Sequence, residues 1–266
     1  MMQNRSAGER LYIAAAAVML LFGALAPAGA QNSTTGQRPD IDKVADSIDR
    51  LYRHESSHTT MEMEIHTPHW DRTLKLEAWS EGMHKTLIRI LKPQKERGMG
   101  TLRINNDMWN YLPNTNKVMK IPSSMMMGSW MGSDFKNNDL VKEFTFTEDY
   151  SFEYFEPSDA REDKLYLKCT PKPDKPIVWG YVLIAVDKKS LIPEWEKYYD
   201  EHDKLMRTMN FRQIKDFDGA LLPSIMELIP QTEEDSRTIL RYIEAEFDIP
   251  LTESVFTLRN LRTFRK

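Results

Sequence analysis

Period-two alternation constrains this chain more than any other feature. Met61, Met63 and Ile65 alternate with Glu62, Glu64 and His66, and Leu74, Leu76 and Ala78 alternate with Lys75, Glu77 and Trp79. Successive side chains of a strand point to opposite faces, so this pattern fits strands with one face buried and one wet. Further short strand segments fall at 87–91, 101–104, 108–111 and 117–121, then at 164–170, 178–187, 193–201, 205–215, 221–229 and 237–247. Turn residues separate the early ones: Thr67-Pro68, Glu81-Gly82, Asn105-Asn106-Asp107 and Pro113-Asn114. About a dozen such strands predict a mainly β (α+β) fold, an antiparallel meander bent into an unclosed barrel or strongly curved sheet.

Two segments break the pattern. Ile41, Val44, Ile48, Leu51 and Tyr52 repeat at three- and four-residue spacing behind Asp40, which predicts an N-terminal amphipathic helix with Asp40 as its cap. Residues 122–140 have no period. They are rich in methionine and punctuated by Gly128 and Gly132, and they predict an insert with one or two short helical turns. Packed on one side of the sheet, helix and insert would enclose a cavity.

The first thirty residues read as an address. Arg5 and Arg10 precede an apolar run from Leu11 to Ala26, followed by Pro27 and Ala28-Gly29-Ala30. This is the order of a cleaved secretory signal peptide, and the run is shorter than the ~20 residues a spanning helix needs. Residues 31–39 then form a flexible leader. The chain is expected to be exported. Cys169 is the single cysteine of the 266 residues, so no internal disulfide forms. The roughly 236 residues after the signal must hold together by burying a core. A net charge of −4 gives no basic excess for nucleic acid.

The chemistry-bearing motifs are few. His54-Glu55-Ser56-Ser57-His58 matches H-E-x-x-H, which on a helix binds zinc through two histidines with the glutamate as base. Here it falls where the leading helix runs out. The plain reading is a polar helix end; the sharper one is a zinc-dependent hydrolase. Gly98-Met99-Gly100 lacks the surroundings of a dinucleotide site. Cys169 alternates with Leu165 and Leu167, which marks a buried strand residue. No catalytic residue, cofactor site or metal site is expected.

The methionines carry more. Seven of the sixteen, Met99, Met108, Met119, Met125, Met126, Met127 and Met131, fall in one stretch. Methionine repacks around irregular apolar shapes, whereas rigid cores favour Leu, Ile and Val. A movable lid over a greasy cavity accounts for methionines and glycines together. The residues expected to line that cavity and lid are Trp109, Tyr111, Met125, Met126, Met127, Trp130, Met131 and Phe135.

One block resembles a known family. Lys92-Pro93, Gly98-Met99-Gly100-Thr101-Leu102-Arg103, Met108-Trp109-Asn110-Tyr111-Leu112-Pro113, Lys120-Ile121-Pro122, Met131-Gly132-Ser133-Asp134-Phe135 and Asp139-Leu140 resemble the outer-membrane lipoprotein-sorting proteins, the LolA-like superfamily. The strand series of the second half is similar as well. The resemblance implies a single carrier domain over 40–266, an unclosed β-barrel with a helical lid whose interior takes acyl chains of lipoproteins or lipids. It implies no cofactor and no covalent chemistry. It implies an inner-membrane transporter as donor, of ABC type or, for a divergent branch, a pump of RND type, and an outer-membrane acceptor. A periplasmic adaptor of such a pump that carries nothing is the rival. The lid-contacting arginine of such carriers corresponds here to Arg89, Arg97 or Arg103.

Overall fold

The computed structural model describes residues 38–263 apart from 52–53, 83, 143–145, 174 and 176. The expected signal peptide, the leader up to residue 37 and Tyr52 lie outside the described residues. Helix α1 (Ile41–Arg50) forms as its stripe predicts: Val44, Ala45 and Ile48 are buried. Asp40 caps it, its carboxylate accepting the Asp42 N–H at 3.1 Å.

Two antiparallel meanders follow. The first comprises β1 (Ser56–His66), β2 (Asp71–Glu81), β3 (Lys85–Lys92), β4 (Gly100–Ile104), β5 (Asp107–Leu112) and β6 (Lys117–Lys120). The second comprises β7 (Tyr150–Tyr154), β8 (Lys164–Pro171), β9 (Tyr181–Asp187), β10 (Pro193–Tyr199), β11 (Leu205–Phe217), β12 (Ala220–Pro230) and β13 (Arg237–Phe247). β1 pairs with β13, which joins the two into one 13-stranded sheet ordered β6-β5-β4-β3-β2-β1-β13-β12-β11-β10-β9-β8-β7. β6 and β7 are its edges, so the barrel is unclosed, as the alternation predicts. β6 is blunted by brevity and by Lys117 and Lys120. Residues as distant in strand order as Leu74 of β2 and Leu167 of β8 belong to one core cluster, so the sheet wraps around a shared interior.

Three details differ from expectation. The alternation series omits β7, although Tyr150, Phe152 and Tyr154 do alternate there. Helix α1 ends before the histidine motif: His54 has a left-handed backbone, φ 51°, and β1 begins at Ser56. Ser57, Thr59 and Met61 continue one buried row, so the strand pattern captures what looked like a helix end. Val178 to Gly180 stay outside β9. There a Cβ on Gly180 would sit 2.4 Å from the Asp200 carbonyl oxygen. Gly180→Ala is therefore expected to lower stability by about 1–3 kcal/mol, read by chemical denaturation.

The insert between the meanders runs over the inner face and is fastened strand by strand. The Trp130 indole N–H donates to Thr101 Oγ1 on β4, Arg72 of β2 donates to the Met131 carbonyl, and Asp134 exchanges hydrogen bonds with Thr238 of β13. It contains a 3-10 turn, Ser123–Met125, and leads into α2 (Asp139–Lys142), whose Asp139 pairs with Arg207 of β11 at 2.7 Å. Helix α3 (Phe146–Asp149) docks on α1 through the Asp49 carboxylate, which accepts the Phe146 and Thr147 N–H groups and the Thr147 hydroxyl. The chain closes with a 3-10 turn, Glu253–Phe256, and α4 (Leu258–Arg262). Phe256 and Leu261 form a second, smaller core on the other face of the sheet with Leu87, Leu102 and Tyr111.

Candidate ligand-binding cavity

Inside the sheet lies a cavity with about 1210 Å³ of space between its walls, part of it open to solvent. Inward positions of β1, β2 and β3 supply one wall, including Met61, Met63, Leu76, Ala78 and Ile88. Met209, Met226 and Leu240 supply the opposite one, while Trp130, Phe135 and Leu140 of the insert cover it.

The structure sorts the eight expected residues. Trp130 and Phe135 are buried and line the cavity. Met131 packs partly against the core, with φ 52° and its carbonyl held by Arg72. Met125 and Met127 are 56% and 42% exposed, and Met126 is half-buried; none of the three lines the cavity. Trp109 and Tyr111 are not at the cavity either. In the β4–β5 register Thr101 pairs with Asn110, and Thr101, through Trp130, marks the inner face. Trp109 pairs with Leu102 and Tyr111 with Gly100, which puts both on the face covered by α4. The cavity methionines are instead Met61, Met63, Met209 and Met226. Their inward parity was readable only once each strand's buried face was known.

The arginines also rearrange. Arg89 donates to Asn260 near the C-terminus, and Arg103 Nε donates to the Asn105 carbonyl at 3.0 Å. Arg72 and Arg207 are the arginines seen to hold the insert.

The histidine motif does not assemble a ligand pair. His54 Nδ1 lies 3.3 Å from Asp248 and its ring stacks on Phe247, whereas His58 Nε2 lies 3.0 Å from Glu77 and its ring stacks on Trp79. The i and i+4 positions of a helix would share a face, but here the first is in a bend and the second in a strand. Among the described residues no group of three or more His, Cys, Asp or Glu is placed to hold a metal ion. Cys169 is fully buried, and burial pushes its thiol well above the usual range, which disfavours the thiolate.

The polar part of the wall was not anticipated from sequence. Asp49, Asp139, Glu196 and Tyr198 all line the cavity. Burial raises the Asp49 carboxyl against the lowering effect of its three donors. Burial, assisted by the Asp49 charge, pushes Glu196 up to about 7, although the Tyr198 hydroxyl donates to it.

Comparison with solved structures finds the same fold, an unclosed antiparallel barrel, in other proteins. A DUF1329 family protein from Desulfovibrio piger superimposes with a TM-score of 0.74 at 22% identity, covering 83% of this chain and 97% of its own. A domain described as an outer membrane lipoprotein-sorting protein from Vibrio parahaemolyticus gives 0.71 at 22%, covering 84% and 98%. A LolA superfamily protein from Nitrosomonas europaea gives 0.68 at 18%, covering 82% and 97%. A family model described as "Uncharacterized protein" matches residues 82–263, and the chain belongs to that family. No curated protein sequence matches the chain.

Proposed function

We propose that this protein is a periplasmic carrier that takes acyl chains of lipoproteins or lipids into the cavity and ferries them between the inner and outer membranes. The observation that carries this reading is the apolar interior covered by Trp130 and Phe135. The fold shared with lipoprotein-sorting and LolA superfamily proteins supports it. Burial contributes ~0.8 kcal/mol per methylene, so a palmitoyl-length chain gains roughly 10 kcal/mol before ordering costs. No covalent step and no cofactor belong to this reading. Its donor is an inner-membrane transporter of ABC or RND type, and its acceptor is at the outer membrane. Export depends on the signal peptide at 1–30.

In the same reading the insert is the lid. Trp130 and Phe135 are its inner face, and Met125, Met126 and Met127 are its outer lip, where an entering chain first meets an adaptable apolar surface. Ala78→Phe fills the cavity from β2. It is expected to weaken binding of a fluorescent fatty acid by about tenfold or more while the fold survives. Unchanged affinity would sink the carrier reading. Replacing the three lip methionines with serine tests the lip separately, since an affinity equal to that of the unaltered chain removes them from the lid. Native mass spectrometry after gentle purification checks the same reading from the other side, because a carrier retains lipid.

A further inference from the structure

The cavity wall is not uniformly apolar: hydroxyl side chains such as Ser57, Thr59 and Tyr198 line it, and its charged side chains are all acidic. Three carboxyl groups, Asp49, Asp139 and Glu196, line it, and among the described lining residues there is no lysine, arginine or histidine. Two of the three are occupied. Asp49 takes three donors from the start of α3, and Asp139 pairs with Arg207 and accepts the Lys136 N–H. Arg207 itself stacks over the rings of Tyr198 and Trp179, outside the cavity lining.

Glu196 differs. It is 6% exposed, at an inward position of β10 where an apolar residue would be ordinary. Its Oε2 accepts the Tyr198 hydroxyl, and it makes no other hydrogen bond among the described residues. Its Oε1 takes no hydrogen bond among the described residues, and Glu196 is one of the residues that line the cavity. A buried carboxyl with a purely structural role has both oxygens satisfied, as Asp49 does. Glu196 instead presents an acceptor to whatever fills the cavity.

We propose that Glu196, held by Tyr198, anchors the head group of the cavity's occupant, and that this head group donates hydrogen bonds and carries no negative charge. The proposal rests on the carrier reading and names its ligand class: an amine- or hydroxyl-headed amphiphile whose chain lies along the methionine-lined wall. An anionic head would face Glu196 and Asp49 with no cation in the wall to offset them. The groups in electrostatic reach of Glu196 are Tyr198, Asp49, Tyr150 and Cys169; Arg207, beside Tyr198 on β11, is a cation of the same face and is paired with Asp139.

The test uses the full mature chain and displacement of the neutral fluorophore N-phenyl-1-naphthylamine by dodecylamine, dodecanol and dodecanoate. At about pH 8 the amine is expected to displace it at the lowest concentration and the carboxylate at the highest. Glu196→Gln keeps an acceptor for the Tyr198 hydroxyl and removes the charge. It is expected to shrink the amine-over-carboxylate preference by roughly tenfold, the scale of a hydrogen bond to a charged group. In the unaltered chain the same preference should grow between about pH 6 and pH 8, a range in which both probes keep their own charge and Glu196 loses its proton. A preference unchanged in Glu196→Gln and flat with pH overturns the anchor while leaving the carrier intact. Failure of all three probes to displace the fluorophore overturns the anchor and the carrier together.

Discussion

Arg207→Met is expected to lower the stability of this protein by about 3–5 kcal/mol, the usual effect of removing one partner from a buried ion pair. Arg207 and Asp139 approach to 2.7 Å with both side chains only 5% exposed. Methionine keeps most of the apolar stem against Tyr198 and Trp179 but leaves the Asp139 carboxylate buried without its cation. In a domain of this size the loss corresponds to a fall in Tm of about 10 °C. By contrast, Arg161→Met breaks exposed pairs with Asp163 and Glu194 and should change stability by less than about 1 kcal/mol. The two variants, compared by urea denaturation, separate the general loss of a cation from the loss of this one. Asp139 is also where the insert is tied to β11, so Arg207→Met should let a cavity probe enter faster. A loss below about 1 kcal/mol would mean that the pair does not fasten the insert.

The strand series, the leading helix and the aperiodic insert were legible in the sequence because each has a local signature. Period two, period 3.6 and the absence of both read directly off residues 41–140. Topology was legible only in part. Hairpin neighbours follow from short turns, but the β1–β13 pairing that joins the two meanders spans most of the chain and leaves no local mark. The site was the least legible. Trp109 and Tyr111 have the composition of a cavity wall, but alternation says only that two faces differ. Which face is inside was decided by α4, which covers Leu102, and by Trp130, which reaches Thr101. The crowding of methionines drew attention to Met125–Met127, whereas the methionines at the cavity are scattered one or two to a strand across β1, β11 and β12. Glu196 had no signal at all. In Trp195-Glu196-Lys197 it looks like a solvated residue, and a register irregularity between Pro193 and Trp195 helps set the parity that turns it inward.

Glu196→Gln is expected to stabilise the protein in alkaline solution and to leave it unchanged in acid. Burial raises this carboxyl from 4.5 in an exposed chain to about 7 in the folded one. Between those values the folded state binds more protons than the unfolded state, so this group's contribution falls as pH rises through the window. Below about pH 4.5 the acid is neutral in both states and an amide replaces it at little cost. Above about pH 7 the folded state carries the full penalty of a buried carboxylate, on the order of 3 kcal/mol from the size of the shift. Asp49 is raised in the same direction, and the effect of its own burial is common to both proteins. Denaturation curves of the two proteins at about pH 4, 6 and 8 should therefore converge at the acid end and separate progressively above it. Parallel curves would mean that the Glu196 carboxyl binds its proton equally well in the folded and unfolded chains, and the donor-headed ligand would lose its physical basis. A divergence has the opposite meaning. A carboxyl that destabilises the empty protein at neutral pH is not there to hold the fold together, and its oxygen without a donor belongs to a residue that lines the cavity inside the sheet.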